Sequence, residues 1–377
     1  MNRIFKLIIV VFFCILVLFF KNHTRSEYVN VCNWYGMLPS DIIQAFEKET
    51  GIKIRYDVFD NNDVLEAKLL ATNSGYDVVF PSASPYVAHQ LEIGVYQELD
   101  QNLIPNLKFV DAYYLEELKK IDRDLTHCVP YIVGTTGIIY DKDKIQKVGI
   151  DEDDYLSIAL LFNEENAKKI CPLGISLLEE NVDVFPMLFR YLKYDVDDRS
   201  KETLENAYCH LLKIRPFIKR FSTDRTSNDL IMGEVALAQF WSGDAYRTIK
   251  EAKKVGRTLH YIIPKEGATL WIDVMAIPKG APNKKNAHTF INFCLRPDIA
   301  AKISNQTYAV TSITESRQYI DPELLKVDFL YPKEEILKTL KLDLPFLGKQ
   351  GNLYDREKLR LWTKFRQFKG NNLNATD

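Results

Sequence analysis

Two tryptophan–acid pairs carry the most suggestive chemistry in this chain. Phe240-Trp241-Ser242-Gly243-Asp244 closes an apolar run over residues 235–240, and Leu270-Trp271-Ile272-Asp273 lies in a second run that ends at Ile277-Pro278. A carboxylate beside an indole at a strand end suits an organic cation. The acid supplies charge and hydrogen-bond acceptance, and the ring supplies a flat, electron-rich wall for ammonium groups and methylenes. The chain has four tryptophans, and two of them have an acid two or three residues on. Either pair alone reads better as a core tryptophan next to a surface acid. Both together, with Trp34 at another strand end, favour a binding cleft.

The elements that must position these residues alternate. Residues 29–33 read as a short strand ending at Trp34. Ser40 or Asp41 can cap a helix with Ile42, Ile43 and Phe46 inward, and Gly51 stops it. Ile52, Ile54, Tyr56 and Val58 alternate with polar residues as in a strand. Residues 61–63 cap a helix with Val64, Leu65, Leu69 and Leu70 inward. Residues 76–80 form a buried strand broken by Pro81, and Ser84-Pro85 begins a helix to Leu91. Such alternation implies a mainly parallel sheet with right-handed crossovers, in which ligands sit at the carboxyl ends of strands. Those ends are residues 33–35, 57–60 and 81–84.

Residues 129–140 read as an extended crossing segment whose Gly134 and Gly137 also suit a hinge; residues 270–277 form a second crossing. Between them come strands at 173–178 and 235–240 and helices at 184–192 and 202–214. Glu179, Glu180 and Asp183 gather at a strand end and helix start, where acids by default cap a helix on a solvated turn. After Asp244 follow a helix over 245–254, a strand over 259–263, a helix over 287–295 capped by Asn286, and a short extended piece at 307–310. The tail, 355–369, is amphipathic, with Leu361, Phe365 and Phe368 as its packing stripe.

Length and composition bound the rest. The 377 residues suffice for two domains, and a net charge of −2 predicts no nucleic-acid or membrane-surface role. Six cysteines without a CxxC and six dispersed histidines offer no metal site and suggest buried free thiols. An enzyme acting on a small amine is the alternative from another class, but no GxSxG, HExxH or Walker loop is present. Residues 1–26 stand apart from the fold. Arg3 and Lys6 precede an apolar run over 7–20 and a polar stretch over 21–26, the layout of a cleaved signal or an uncleaved anchor that exports the chain.

Several motifs in order carry a family resemblance. They are Asn33-Trp34; Phe46-Glu47-Lys48-Glu49-Thr50-Gly51; Tyr76-Asp77-Val78-Val79-Phe80-Pro81-Ser82; and Val129-Pro130-Tyr131 with Gly134-Thr135-Thr136-Gly137. Trp241-Ser242-Gly243-Asp244 and Ile263-Pro264-Lys265-Glu266-Gly267 before Trp271 and Asp273 complete the set. From about Tyr28 to Lys369 the chain resembles the spermidine/putrescine-binding proteins of bacterial ABC transporters. The resemblance implies an α/β, two-lobed periplasmic binding protein of type II-like fold. Each lobe would be a mainly parallel sheet flanked by helices, with two crossing strands joining the lobes. The divisions implied are 27–133 with 271–316, and 134–270 with 317–370.

It further implies that Trp34 is the cleft tryptophan of the first lobe and Ser82 the serine ending the third strand. Glu180 and Asp183 would take an amine at one end of the ligand. Trp241 and Asp244 would serve from the second lobe, Trp271, Asp273 and Tyr308 from near the crossing, and Thr223 where some members have serine. Tyr35-Gly36-Met37 and Ser84 depart from the family pattern, which leaves the preferred polyamine open. The implied role is extracytoplasmic capture of putrescine and/or spermidine and delivery, as a monomer and without cofactor or metal, to the permease subunits of an ABC transporter. Another small cationic solute, or a polyamine sensor that signals, are the alternatives within the class.

Overall fold

The computed structural model describes residues 27–71 and 74–368, so the segment read as a signal or anchor lies outside the described residues. Its centre is one sheet of eleven strands in the order β2-β1-β3-β9-β4-β7-β5-β6, with β8 and β10 on β4 and β11 on β9. The strands are β1 (Tyr28–Trp34), β2 (Lys53–Phe59), β3 (Val78–Val79), β4 (Cys128–Asp141), β5 (Ile175–Leu177) and β6 (Arg220–Phe221). Then follow β7 (Leu237–Trp241), β8 (Leu259–Ile262), β9 (Ala268–Ala276), β10 (Val310–Thr311) and β11 (Leu340–Lys341). The helices that matter to the site are α1 (Ser40–Thr50), α2 (Asn62–Leu70), α3 (Asn181–Tyr191), α4 (Lys201–Ile214), α5 (Ser242–Lys254), α6 (Lys284–Cys294), α7 (Pro297–Thr307) and α8 (Gly348–Gln367).

The two expected crossing segments are β4 and β9. They pair antiparallel from Cys128↔Ala276 to Thr136↔Thr269, while β1/β2, β1/β3, β5/β6 and β5/β7 pair in parallel. Every residue of β4 is buried, as a strand covered on both faces must be. On one side of this ladder Val29, Val31, Phe46, Phe80, Phe290 and Ile303 share an apolar cluster. On the other, Ile138, Ile175, Phe185, Leu211, Trp362 and Phe365 share another. Ile320, Leu324 and Leu330 join Cys32 and Val79, so the chain beyond residue 316 still packs with the first half.

Local boundaries differ from expectation for identifiable reasons. Pro39, not Ser40 or Asp41, caps α1, and no side chain takes the capping bond. Asn61 caps α2 by accepting from the Asp63 N–H. Val64 and Leu70 are 45% and 55% exposed, because apolar residues at 64, 65, 69 and 70 spread around the helix and only Leu65 and, in part, Leu69, four residues apart on one face, meet the core. The third strand shrinks to two residues, and a wide π-type turn over Ala83–Val87 precedes the short helix Ala88–Glu92. Asn283 precedes α6; Asn286 lies within it and donates to the Tyr28 carbonyl. The last helix starts at Gly348, and Trp362 takes the inward place expected of Phe368, which is 38% exposed. The five described cysteines are free thiols.

Candidate ligand-binding cleft

Asp183 is the most heavily bonded of the candidate acids. It lies in the first turn of α3 and is buried, 9% exposed. The Thr136 hydroxyl of β4 donates to its Oδ1 over 2.8 Å, the Trp241 indole N–H over 3.3 Å, and Gln239 Nε2 donates to its backbone carbonyl over 2.8 Å. Burial pushes this carboxyl up to about 6 against the pull of Thr136 and Trp241, with Asp343 adding to the rise. Glu180 stands just before the helix. Burial first, then the negative charges of Asp183, Asp63 and Glu179, push it up to about 8. Its Oε1 accepts from Asn61 Nδ2 over 2.8 Å, so a residue at the head of α2 reaches one at the head of α3 across the ladder.

Asp273 is the second pole. It sits in β9 opposite Ile132 of β4 and forms an isolated bridge to Ser82. The Ser82 hydroxyl donates to its Oδ1 over 2.6 Å and accepts from Asn62 Nδ2, while the Ser82 N–H donates to Asn62 Oδ1, both at 3.1 Å. Asp273 is 7% exposed; burial pushes it up to about 7, and the Ser82 hydrogen bond works against the rise. Among the described residues neither Glu180, Asp183 nor Asp273 has a cationic partner. A buried carboxylate in that condition is expensive to ionise, which is why all three hold their protons so high.

The walls are aromatic. Gly134 of β4 is the register partner of Trp271, and a Cβ there would stand 2.6 Å from the indole Cη2 and 2.7 Å from Cε2. The missing side chain is what lets the indole lie over the neighbouring strand. Trp34, at the carboxyl end of β1, packs against Phe59 with ring centroids 4.6 Å apart. The indole N–H groups of Trp34 and Trp271 and the Thr223 hydroxyl are buried without a partner, as befits surfaces left for a solute or solvent. Thr223 follows the two-residue β6, the outermost strand of its half.

Two candidates are already engaged within the protein. Asp244, in the first turn of α5, has Arg247 Nη1 3.0 Å from its Oδ1; burial raises this carboxyl and Arg247 lowers it. Tyr308 is not extended: it closes α7 with φ 62°, and Lys250 Nζ donates to its hydroxyl over 3.2 Å. Tyr35 is 78% exposed, whereas Met37 packs inward beside Tyr131, whose hydroxyl donates to the Met37 carbonyl. Ser84 donates to the Asp343 carbonyl, and Asp343 in turn pairs with Arg190 of α3 at 2.9 Å.

The residues that a linear reading misses are Thr136, Gln239, Asn61, Asn62 and Arg247. Thr136 and Gln239 do leave one trace, as polar residues inside strands that are mostly apolar. No cluster of three or more metal-ligating side chains occurs among the described residues.

Known proteins give this geometry its context. Residues 41–327 match the family described as bacterial extracellular solute-binding protein. The putrescine-binding periplasmic protein SpuD of Pseudomonas aeruginosa (strain UCBPP-PA14) is 36% identical over 348 residues, 91% of this chain and 93% of that one. The putrescine-binding periplasmic protein PotF of Escherichia coli (strain K12) is 36% identical over 351 residues, 92% and 93% of the two chains. In fold, the spermidine/putrescine ABC transporter substrate-binding protein PotD of Streptococcus pneumoniae superimposes with a TM-score of 0.74 at 24% identity, covering 91% of this chain and all of that one. The architecture is that of the two-lobed periplasmic binding proteins, and the chain belongs to the bacterial extracellular solute-binding proteins.

Proposed function

We propose that this chain binds a polyamine, putrescine or spermidine, between its two lobes outside the cytoplasmic membrane. It hands the solute to the permease subunits of an ABC transporter, acting as a monomer that residues 1–26 direct to the periplasm. One observation carries the reading. Asp183 and Asp273 are buried and Glu180 is half-buried, and among the described residues none of the three has a cation of its own; the Trp241 indole donates to Asp183, and Trp271 lies two residues before Asp273 in β9. A solute bearing ammonium groups supplies the missing charge, and its methylenes lie against the tryptophan faces.

In this reading Trp34, Ser82 and Asp273 serve from the first lobe, and Glu180, Asp183 and Trp241 from the second. Trp271 rests on Gly134 between them. Thr223, Asp244 and Tyr308 complete the set, with Asp244 and Tyr308 also bonded to Arg247 and Lys250. The first lobe takes residues 27–133 with 271–316 and the second residues 134–270 with 317–370, with the division falling near β4 and β9.

Closure follows from charge. Without a cation the acids repel one another and favour separated lobes; a bound polyamine removes that penalty and stabilises contacts such as Asn61 to Glu180. Titration calorimetry against putrescine, spermidine, agmatine, γ-aminobutyrate and neutral amino acids tests the assignment. Binding confined to the polycations is expected. Preference for an amino acid or an anion would contradict it.

A further inference from the structure

We propose that Asp343 is a positioning residue: with Arg190 and Thr269 it locks the helix headed by Glu180 and Asp183 onto the strand that carries Asp273. The inference rests on the polyamine reading above and adds to it a residue that acts on recognition without touching the solute.

Three segments meet at the Asp343 carboxylate. Arg190 Nη2 of α3 lies 2.9 Å from Asp343 Oδ1, and Nη1 donates to the Thr269 hydroxyl of β9 over 3.1 Å. That hydroxyl donates in turn to Asp343 Oδ2 over 2.5 Å, which closes a ring of three bonds. The side chains of Arg190 and Asp343 are 7% and 15% exposed, so the pair stands largely out of water. A surface ion pair is worth little, but removing one member of a buried pair strands the charge of the other. The backbone adds two ties. β11 pairs in parallel with β9, with Lys341 opposite Thr269, and the Asp343 carbonyl accepts from the Ser84 hydroxyl beyond the third strand.

The ring stands on the same elements as the acids. Arg190 lies seven residues past Asp183, two turns along α3 and on the same face. Thr269, Trp271 and Asp273 share one face of β9, because side chains alternate along a strand. Asp183 accepts from Thr136 of β4, and Thr136 is the register partner of Thr269. α3 is therefore fastened twice to one pair of strand residues, at its head through Asp183 and near its end through Arg190. The first fastening involves an acid left open to the solute. The second is complete within the protein.

Asp343 also acts on Asp183 through charge. Burial is the main reason that the Asp183 carboxyl holds its proton to high pH, and the negative charge of Asp343 adds to that rise. A change at Asp343 should therefore alter both where α3 sits and the pH at which Asp183 ionises.

The test is calorimetric titration of the full chain, purified in mild detergent, with putrescine from pH 5 to 9, on variants whose melting temperatures show them folded. Asp343→Asn should weaken binding at pH 8 by about tenfold, the worth of one charge-assisted bond. It should also move the acid limb of the affinity profile to lower pH, because Asp183 loses a neighbouring negative charge. A residue that only supports the fold would leave that limb in place. Arg190→Gln should weaken binding by about tenfold as well. Tighter binding in Arg190→Gln would mean that the freed Asp343 carboxylate takes the ammonium itself, and overturns the inference. Thr269→Val keeps the ion pair and removes only the shared hydroxyl, so it should fold even where the ion-pair variants do not, and should weaken binding by about threefold. Parent affinity in Thr269→Val, or an unmoved acid limb in Asp343→Asn, overturns the inference while leaving polyamine binding intact. A parent that binds neither putrescine nor spermidine overturns both the inference and the function on which it rests.

Discussion

The hydroxyl of Ser82 and the carboxylate of Asp273 lie 2.6 Å apart, 191 residues distant in the chain. The bond ties the end of the third strand to the crossing strand and holds the acid in one orientation. It is also the interaction that opposes the effect of burial on Asp273. Ser82→Ala should therefore weaken putrescine binding at pH 7 by about three- to tenfold, the worth of one charge-assisted hydrogen bond partly offset by solvent. Because Asp273 then holds its proton to still higher pH, the pH at which binding reaches half its maximum should move upward. Affinity measured from pH 5 to 9 checks this; an unmoved profile would separate Ser82 from the function of Asp273.

The raised carboxyls also fix a sign for stability. Folded Asp183, Asp273 and Glu180, at about 6, 7 and 8, hold protons that the unfolded chain releases near the ordinary carboxyl values. The folded state binds more protons across this window, so these groups cost stability as pH rises from about 4 to about 8. Asp273→Asn removes one of them. Its melting temperature should match that of the parent at pH 5 and exceed it at pH 8, both without ligand. A variant less stable than the parent at pH 8 would show that the charge is compensated within the protein.

Binding should follow the opposite trend. An ammonium favours ionised acids, so polyamine affinity should increase from pH 6 to 8 with release of protons. Calorimetry in two buffers of different ionisation enthalpy reads that release directly. Binding without proton transfer at pH 7 would mean that the three acids are already ionised.

Gly134 makes a steric prediction. A methyl group at that position meets the Trp271 indole well inside van der Waals contact, so Gly134→Ala must displace the ring or bend β4. Overpacking of this kind costs about 1–3 kcal/mol, and the displaced wall should weaken binding by about 1–2 kcal/mol. Trp362 provides the contrast. It is buried against Phe185, Phe221 and Phe365 and donates to the Glu179 carbonyl. Trp362→Ala should cost about 3–5 kcal/mol of stability, yet leave the folded fraction binding more tightly than Gly134→Ala or Trp271→Ala does. Equal affinities among the three would overturn the assignment of walls.

How much of this was legible in the chain depended on whether a feature is local. β4 and β9 announced themselves as long apolar runs, and the alternation of strands and helices pointed to the sheet. Trp241, Trp271 and Asp273 stood out because each indole has its acid in the next three residues. Long-range partners leave little local trace. Thr136 and Gln239 meet Asp183 from 47 and 56 residues away, and each looks like an ordinary polar interruption of a strand.

The role of Gly134 depends on a register with Trp271 that no local pattern specifies. Arg247 is hidden for a different reason. An acid and a base three residues apart are commonplace on helices, and only the contact with Thr307 distinguishes this pair. The termini of α1, α6 and α8 shifted because packing and neighbouring backbone, rather than the nearest polar residue, decide where a helix starts.

The charge-matched acids are the heart of the account, and Asp273 tests them most directly. Putrescine should be titrated at pH 8 into the parent and into Asp273→Asn, a change that keeps the shape and removes the charge. The parent should bind one diamine per chain, and the variant should lose roughly 2–4 kcal/mol, about 30- to 1,000-fold in affinity. A variant that binds putrescine as tightly as the parent would contradict the account and leave Asp273 a buried acid beside a tryptophan, with no part in recognising a cation.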